Sequence, residues 1–389
     1  MVDQGIKDLN SPNNKLLIIT GEVSGDLIGA SLIRELKSLQ PELIITGIGG
    51  DRMKSSGMNL IYHSDQMAIL GFVEVIKHLP FIRQVRKKII ETVIQENIRC
   101  VVLIDYPGFN LNIAKKLKER GIKIIYYVSP QIWAWAKGRV KKVQRFVDKM
   151  LVVFPFEVEF YNNEKVNVEY VGHPLVERIS QYNFFSKEDF FAKYNLDEEK
   201  KTLLVMPGSR EQEVKEIFPE TIKAADMLAK KFDLQVVVAK SKNIDAKVFR
   251  DLSVSEKFTL IEDHNYELMK YSYFGIIKSG TSTLEAGYFT LPMVVVYKTS
   301  SLTYLIGKQL IKLDKIGMVN ILLDKMVVPE LIQNEANSEN IFNTTSKIIS
   351  DEKIYQSIKH KLEFVKEKLG SGGASKKAAK TILEIMNEP

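Results

Sequence analysis

The feature that most constrains this chain is an alternation of short, apolar, β-branched runs with segments patterned for helix. Runs of this kind fall at residues 16–19, 43–46, 101–104, 122–128 and 150–153. They resume at 202–205, 234–238, 258–261, 273–278 and 293–297. Strands alternating with helices build parallel sheets through right-handed crossovers. Between the two series lies a polar stretch rich in Asn, Lys and Glu, residues 180–201. The expectation is an α/β protein with two Rossmann-like, doubly wound domains facing a cleft, with ligands at the carboxyl ends of the strands. The expected boundaries are 1–180, 181–350 and a basic helical tail, 351–389, able to cross back or reach a partner subunit. Gly370-Ser371-Gly372-Gly373 interrupts that tail.

A chain of 389 residues has room for two cores, and 45% apolar with 26% charged residues is ordinary for a soluble globular protein. A single cysteine, Cys100, excludes a disulfide framework and a thiolate metal site, and suggests a reducing compartment. The start of the chain lacks a signal-peptide pattern, and no apolar run is long enough to span a bilayer, so a cytoplasmic location is expected.

The net charge of +7 is clustered. Basic groups gather at Arg83, Arg86, Lys87 and Lys88, at Lys115, Lys116, Lys118 and Arg120, and at Lys137, Arg139, Lys141, Lys142 and Arg145. Such clusters suit an anionic membrane surface or a phosphorylated substrate, and equally a solvated helix face. Nucleic acid is not expected, because no zinc-finger, RNA-recognition or basic–heptad spacing is present.

Two turns carry the chemistry of the second half. The first, Met206-Pro207-Gly208-Ser209-Arg210, lies between a buried strand and a helix. Its backbone N–H groups and the helix dipole favour an anion, and Arg210 offers a donor fork for phosphate. Ser209 with Gln212 also fits a capping box that needs no ligand. The second turn, Ser279-Gly280-Thr281-Ser282-Thr283, has the same setting. Gly280 permits close backbone approach and the hydroxyls can donate to phosphate oxygens. Glu285, one helical turn in, can accept both ribose hydroxyls or simply face solvent. Two such turns in successive strand–helix units suggest one nucleotide held between helix ends.

The first half offers Gly21-Glu22-Val23-Ser24-Gly25-Asp26 after the first strand, and Gly47-Ile48-Gly49-Gly50 after the second. Neither completes a dinucleotide fingerprint, so NAD is not expected. Asp105 sits just past a buried strand, placed either to act as a general base or to cap the next segment. Trp133 and Trp135 lie together in Tyr127-Val128-Ser129-Pro130-Gln131-Ile132-Trp133-Ala134-Trp135, a density suited to a sugar face or a lipid chain, or to packing.

These motifs, with Ile104-Asp105-Tyr106-Pro107-Gly108-Phe109-Asn110 and Val171-Gly172-His173-Pro174, occur in the order seen in lipid A disaccharide synthases. The chain resembles that family from about Leu16 to the C-terminal helix. The first loop and the tryptophan motif are specific to it, whereas the Gly-Ser-Arg and Ser-Gly-Thr turns are shared among two-lobed glycosyltransferases. The resemblance implies a GT-B fold and an inverting transfer that joins UDP-2,3-diacylglucosamine to 2,3-diacylglucosamine 1-phosphate (lipid X). The products would be UDP and the β-1′,6-linked lipid A disaccharide 1-phosphate. It implies no metal or other cofactor, UDP in the C-terminal lobe, and a peripheral position at the anionic inner membrane of a Gram-negative cell. The apolar and basic run 76–83 is then read as an interfacial segment, or as a helix packed on the sheet.

By the same resemblance, Asp105 matches the family's essential aspartate and is the base candidate. Ser209, Arg210, Gly280 and Thr281 would hold the diphosphate, Glu285 the ribose, and Asn320 would lie near the donor, with Glu330 and Gln333 as weaker candidates. Glu22, Ser24, Asp26, Trp133 and Trp135 would serve the acceptor or lipid side. His173 reads as structural. The family usually has Ala-Gly-Glu-Ala-Ser-Gly-Asp in the first loop; Thr20 and Val23 replace the alanines here, which bears on acyl or acceptor placement. The tail after Gly373 is basic and placed to pack across a homodimer. A UDP-sugar epimerase, another glycosyltransferase and a non-catalytic nucleotide-binding module are the alternatives.

Overall fold

The computed structural model describes residues 14–67, 79–130, 137–255, 257–299 and 314–388. The chain divides into two compact units, Met1–Glu177 with Gly372–Pro389, and Arg178–Ser371.

The first unit holds a seven-stranded sheet in the order β3-β2-β1-β4-β5-β6-β7, parallel throughout. Its strands are β1 (Lys15–Ile19), β2 (Ile44–Gly49), β3 (Met58–His63), β4 (Cys100–Ile104), β5 (Lys123–Tyr127), β6 (Lys149–Val152) and β7 (Val168–Tyr170). The second unit holds six parallel strands in the order β10-β9-β8-β11-β12-β13. These are β8 (Thr202–Met206), β9 (Gln235–Lys240), β10 (Thr259–Glu262), β11 (Phe274–Lys278), β12 (Met293–Tyr297) and β13 (Glu330–Ile332).

A central parallel strand is covered by helices on both faces, so it must be apolar on both. All five residues of β4 (Cys-Val-Val-Leu-Ile) and of β8 (Thr-Leu-Leu-Val-Met) are buried. In each sheet the strand order reverses once, between β1 and β4 and between β8 and β11. A doubly wound sheet leaves a crevice at that point, where the outgoing helices diverge to opposite faces. The helices Val23–Leu39, Pro107–Lys118, Glu211–Phe232 and Thr281–Tyr288 all start just beyond these four strands. Four of the loops read from sequence as functional, those after β1, β4, β8 and β11, are therefore switch-point loops.

The unit boundary falls within the helix Pro174–Ser180. The polar stretch that follows carries a helix, Lys187–Tyr194, belonging to the second unit. The tail of 351–389 is not one piece. Its first helix, Glu352–Leu369, buries Leu362 and Val365 in the second unit, whereas Ala374–Asn387 packs on Val23–Leu39 in the first. Gly372 and Gly373, at φ 91° and 75°, supply the left-handed turn between them. Lys123 then fastens the last helix from below, its ammonium donating to the carbonyls of Ile385 (3.1 Å) and Glu388 (2.8 Å). A cation at a helix C-terminus complements its unpaired carbonyls. Among the described residues, no helix is long and apolar enough to cross a membrane.

Candidate functional site

In the first unit the switch point is built around Asp105 and Tyr106. Both have left-handed backbones, at φ 44° and 47°. Such a conformation costs a non-glycine residue about 1–3 kcal/mol and persists only where its surroundings impose it. Here the surroundings are specific. The Asp105 amide donates to the Tyr127 carbonyl at 3.2 Å, and the Asn110 side-chain amide donates to the carbonyls of Ile104 (3.2 Å) and Asp105 (2.8 Å). The Tyr126 hydroxyl donates to the Asp105 carbonyl, and the Tyr106 hydroxyl donates to the Met67 carbonyl at 2.9 Å. Three hydrogen bonds thus hold the backbone of Asp105, one on its amide and two on its carbonyl, while its largely buried carboxylate takes the Tyr106 amide. Burial and the nearby Glu22 push the Asp105 carboxyl up to about 6, the Tyr106 amide opposing them.

The first loop lies against this bend. A methyl group on Gly21 would meet the Tyr106 ring at 2.6 Å, so glycine is what admits the tyrosine there. Glu22 and Ser24 are exposed at the start of the helix Val23–Leu39. Asp26 is not available to a substrate. Its buried carboxylate accepts the amides of Gly50 (2.7 Å), Arg52 (3.2 Å) and Met53 (3.1 Å), capping the short helix Asp51–Ser55 from outside. His173 accepts the Leu175 amide at 3.1 Å and lies against Phe154, a structural setting. Trp133 and Trp135 lie outside the described residues, as do residues 76–78 of the apolar and basic run.

In the second unit the two turns read from sequence meet around one cavity of about 290 Å³. Ser209, Arg210, Gly280 and Thr281 line it, at the ends of β8 and β11. Three helices present their N-termini to this cavity: Glu211–Phe232, Thr281–Tyr288 and, through Asn265, Asn265–Tyr271. None of the three has a side-chain cap, whereas Ser186, Asp245, Asn337 and Asp351 cap helices elsewhere in the unit. Uncapped N-termini leave N–H donors for an anion.

The capping box anticipated at Ser209 and Gln212 does not form as read. Arg210 is the N-cap, and it is Glu213 that reaches back to the Ser209 amide, at 3.0 Å. The other Glu213 oxygen accepts the Lys278 ammonium at 2.9 Å. Burial opposes charge on Glu213, but Lys278, the Ser209 amide and Arg210 outweigh it and hold the carboxyl below its usual range. Gly208 bends the turn at φ 135°, where a methyl group would lie 2.6 Å from a Glu213 carboxylate oxygen.

Four residues expected near a nucleotide, Glu285, Asn320, Glu330 and Gln333, do not line the cavity. Glu285 is largely buried in an ion pair with Arg178 at 3.0 Å and does not line the cavity; burial raises its carboxyl despite that partner. Asn320 is fully buried and consumed by structure. Its amide donates to the Val328 carbonyl (2.8 Å) and Glu330 (2.7 Å), and its oxygen accepts the amides of Val327 (2.8 Å) and Val328 (3.0 Å). Glu330 also receives the amides of Ile316 (2.7 Å) and Gly317 (2.9 Å), and Gln333 braces Thr299 through both its backbone groups. The sequence reading missed Glu213, Lys240 and Lys278 in the cavity wall. Lys240 and Lys278 are the last residues of β9 and β11, and that position, the carboxyl end of a switch-region strand, was the signal.

Comparison with known proteins adds to this geometry. A family model described as lipid-A-disaccharide synthetase matches residues 16–385. The lipid-A-disaccharide synthase of Geobacter sulfurreducens is 38% identical over 97% of this chain and 98% of its own. That of Coxiella burnetii is 36% identical over 96% and 99%. Among solved structures, the UDP-GlcNAc 2-epimerase of Neisseria meningitidis bound to UDP-GlcNAc covers 95% of this chain and 100% of its own, at TM-score 0.65 and 15% identity. The calicheamicin glycosyltransferase CalG4 covers 95% and 98%, at TM-score 0.58 and 14% identity. At such identities the structural likeness speaks for the fold, a GT-B arrangement of two parallel-sheet α/β domains shared by glycosyltransferases and epimerases.

Proposed function

The chain belongs to the lipid-A-disaccharide synthase family, and from that premise we propose how its residues divide the work of the transfer. The activity itself is that of a hexosyltransferase of lipid A biosynthesis, condensing UDP-2,3-diacylglucosamine with 2,3-diacylglucosamine 1-phosphate to give lipid A disaccharide 1-phosphate and UDP. Its donor is a UDP-sugar and its acceptor a lipid.

In our reading Asp105 is the general base of an inverting displacement. It takes the proton of the acceptor's 6-hydroxyl as that oxygen bonds to the anomeric carbon, and the bond to the diphosphate breaks with its electron pair leaving on UDP. The observation that carries this reading is the placement of Asp105 just past β4, on a left-handed bend fixed by Asn110 and Tyr126, where burial and Glu22 push its carboxyl up to about 6. A base near neutrality combines a large ionised fraction with useful proton affinity. The cavity of the second unit holds the donor's diphosphate. The Ser209 and Thr281 hydroxyls and the Gly280 and Thr281 backbone N–H groups are offered to it at helix N-termini, and Arg210 offers a guanidinium.

We assign the membrane contact to the first unit. Arg83, Arg86, Lys87 and Lys88 lie on the helix Leu79–Gln95, whose first residue is an exposed leucine, and Arg139, Lys141, Lys142 and Arg145 lie on Lys137–Phe146. Each basic residue near an anionic surface contributes about 1 kcal/mol. This supports a peripheral place at the cytoplasmic face of the inner membrane, tested by flotation with phosphatidylglycerol vesicles against neutral ones.

The role of Asp105 is tested with UDP-diacylglucosamine and lipid X in mixed micelles. Intact protein should form disaccharide and release UDP, whereas Asp105→Ala should bind UDP normally and lose about 10²–10⁴-fold in turnover. Turnover unchanged in a folded variant would place the base elsewhere.

A further inference from the structure

The cavity holds a cation that the phosphate-binding turns do not account for. Lys278 is the last residue of β11, in register with Val296 of β12, so its backbone is fixed by the sheet. Its side chain runs along the cavity wall and is about one-fifth exposed. The ammonium lies 3.9 Å from where a methyl group on Gly280 would stand, beside the N-terminus of Thr281–Tyr288. Its partner is Glu213, whose other oxygen is bound to the Ser209 amide in the opposite turn. One carboxylate therefore links the two halves of the cavity, and it does so between groups that would otherwise face an anion.

An anion entering this cavity meets Glu213 as a like charge unless the lysine bridges them. Lys240, the other lysine in the wall, is held by Glu262 and by the Ile244 carbonyl at 3.1 Å. Lys278 is better placed. A lysine ammonium has three donors on a flexible stem, and it can keep one on Glu213 while turning others to phosphate oxygens.

We propose that Lys278 is a catalytic residue of the transfer: it binds the donor's diphosphate and stabilises the negative charge that builds on it as the glycosidic bond breaks. The inference rests on the donor reading of this cavity. Lys278 takes no part in the proton transfer. The bond from the anomeric carbon to the β-phosphate oxygen breaks, the electron pair departs on UDP, and the acceptor's proton goes to Asp105. Lys278 and Arg210 then supply two positive charges opposite the leaving group, with Glu213 holding Lys278 in place. Fixed charge aimed at the site of developing charge acts chiefly in the transition state.

The test uses the full-length protein with Lys278→Ala, Lys278→Arg and Glu213→Gln. Affinities for UDP and for uridine are measured by calorimetry, and turnover is measured at saturating donor. Lys278→Ala should weaken UDP by about tenfold or more and leave uridine unchanged, with kcat falling further than UDP affinity. Lys278→Arg should recover part of both. Glu213→Gln should keep the preference for UDP over uridine. Equal loss for UDP and uridine in Lys278→Ala would show a structural brace and overturn the proposal. Normal UDP binding and turnover in Lys278→Ala would overturn it while sparing the cavity assignment. Failure of the unaltered protein to bind UDP would overturn both.

Discussion

The Asp26 carboxylate and the Gly50 amide meet at 2.7 Å, joining the first loop of the chain to the turn after its second strand. The same carboxylate takes the amides of Arg52 and Met53, and a methyl group on Gly50 would collide with it at 2.7 Å. A residue that reads as a substrate contact is thus a tie between the first helix and the turn after β2. Asp26→Ala strands three buried or half-buried donors and should lower stability by about 1–3 kcal/mol, seen as a reduced Tm. UDP affinity should stay unchanged; a loss confined to acceptor KM at constant Tm would restore the acceptor role.

Gly208→Ala tests the phosphate turn. The substitution combines a disfavoured φ of 135° with a contact of 2.6 Å to the Glu213 carboxylate. Relief requires either the turn or Glu213 to move, and both line the cavity. UDP affinity should fall at least about tenfold, measured by calorimetry, while circular dichroism stays native.

Asn320→Ala should act on stability. It leaves the amides of Val327 and Val328 without their acceptor and removes a donor from Glu330. The expected cost is about 2–4 kcal/mol, several hydrogen bonds in a buried site, read by denaturant titration. A variant of normal stability with impaired UDP binding would return Asn320 to the donor site.

Asp105→Asn should stabilise the protein as it disables it. The folded carboxyl sits at about 6 against an ordinary 3.8. Above pH 6 both folded and unfolded states are ionised, and the folded state bears the full cost of the buried charge. Between 6 and 3.8 that cost declines, and below 3.8 it is gone. The variant's gain, on the order of 2–3 kcal/mol at pH 7.5, should therefore shrink through this window on acidification. Tm measured against pH for both proteins checks the sign.

What the sequence disclosed follows the physics of burial. The central strands announced themselves because a parallel strand covered on both faces is a continuous apolar run, as in Val101-Val102-Leu103-Ile104. The strands β3, β7 and β13 went unread. Each is an edge strand, mostly half-exposed, and so carries mixed residues such as Val-Glu-Tyr in β7. The phosphate turns were legible because glycine and hydroxyl residues cluster where backbone must approach an anion. The roles of Asp26, Glu285 and Asn320 were not, because a carboxylate or amide aimed at a ligand and one aimed at distant backbone look alike in sequence. Glu213 and Lys278 were hidden for the same reason: their pairing spans 65 residues of chain.

The most direct test of the account is the pH profile of kcat/KM for disaccharide formation, measured for the unaltered protein and for the residual activity of Asp105→Asn. The account predicts a limb that falls below a pH of about 6 in the unaltered protein, where Asp105 takes up its proton, and no such limb in the variant. The acceptor phosphate also titrates near pH 6, so the limb is read from the ratio of the two profiles, in which that common contribution cancels. The same limb, undiminished in Asp105→Asn, would contradict the assignment of Asp105 as the base.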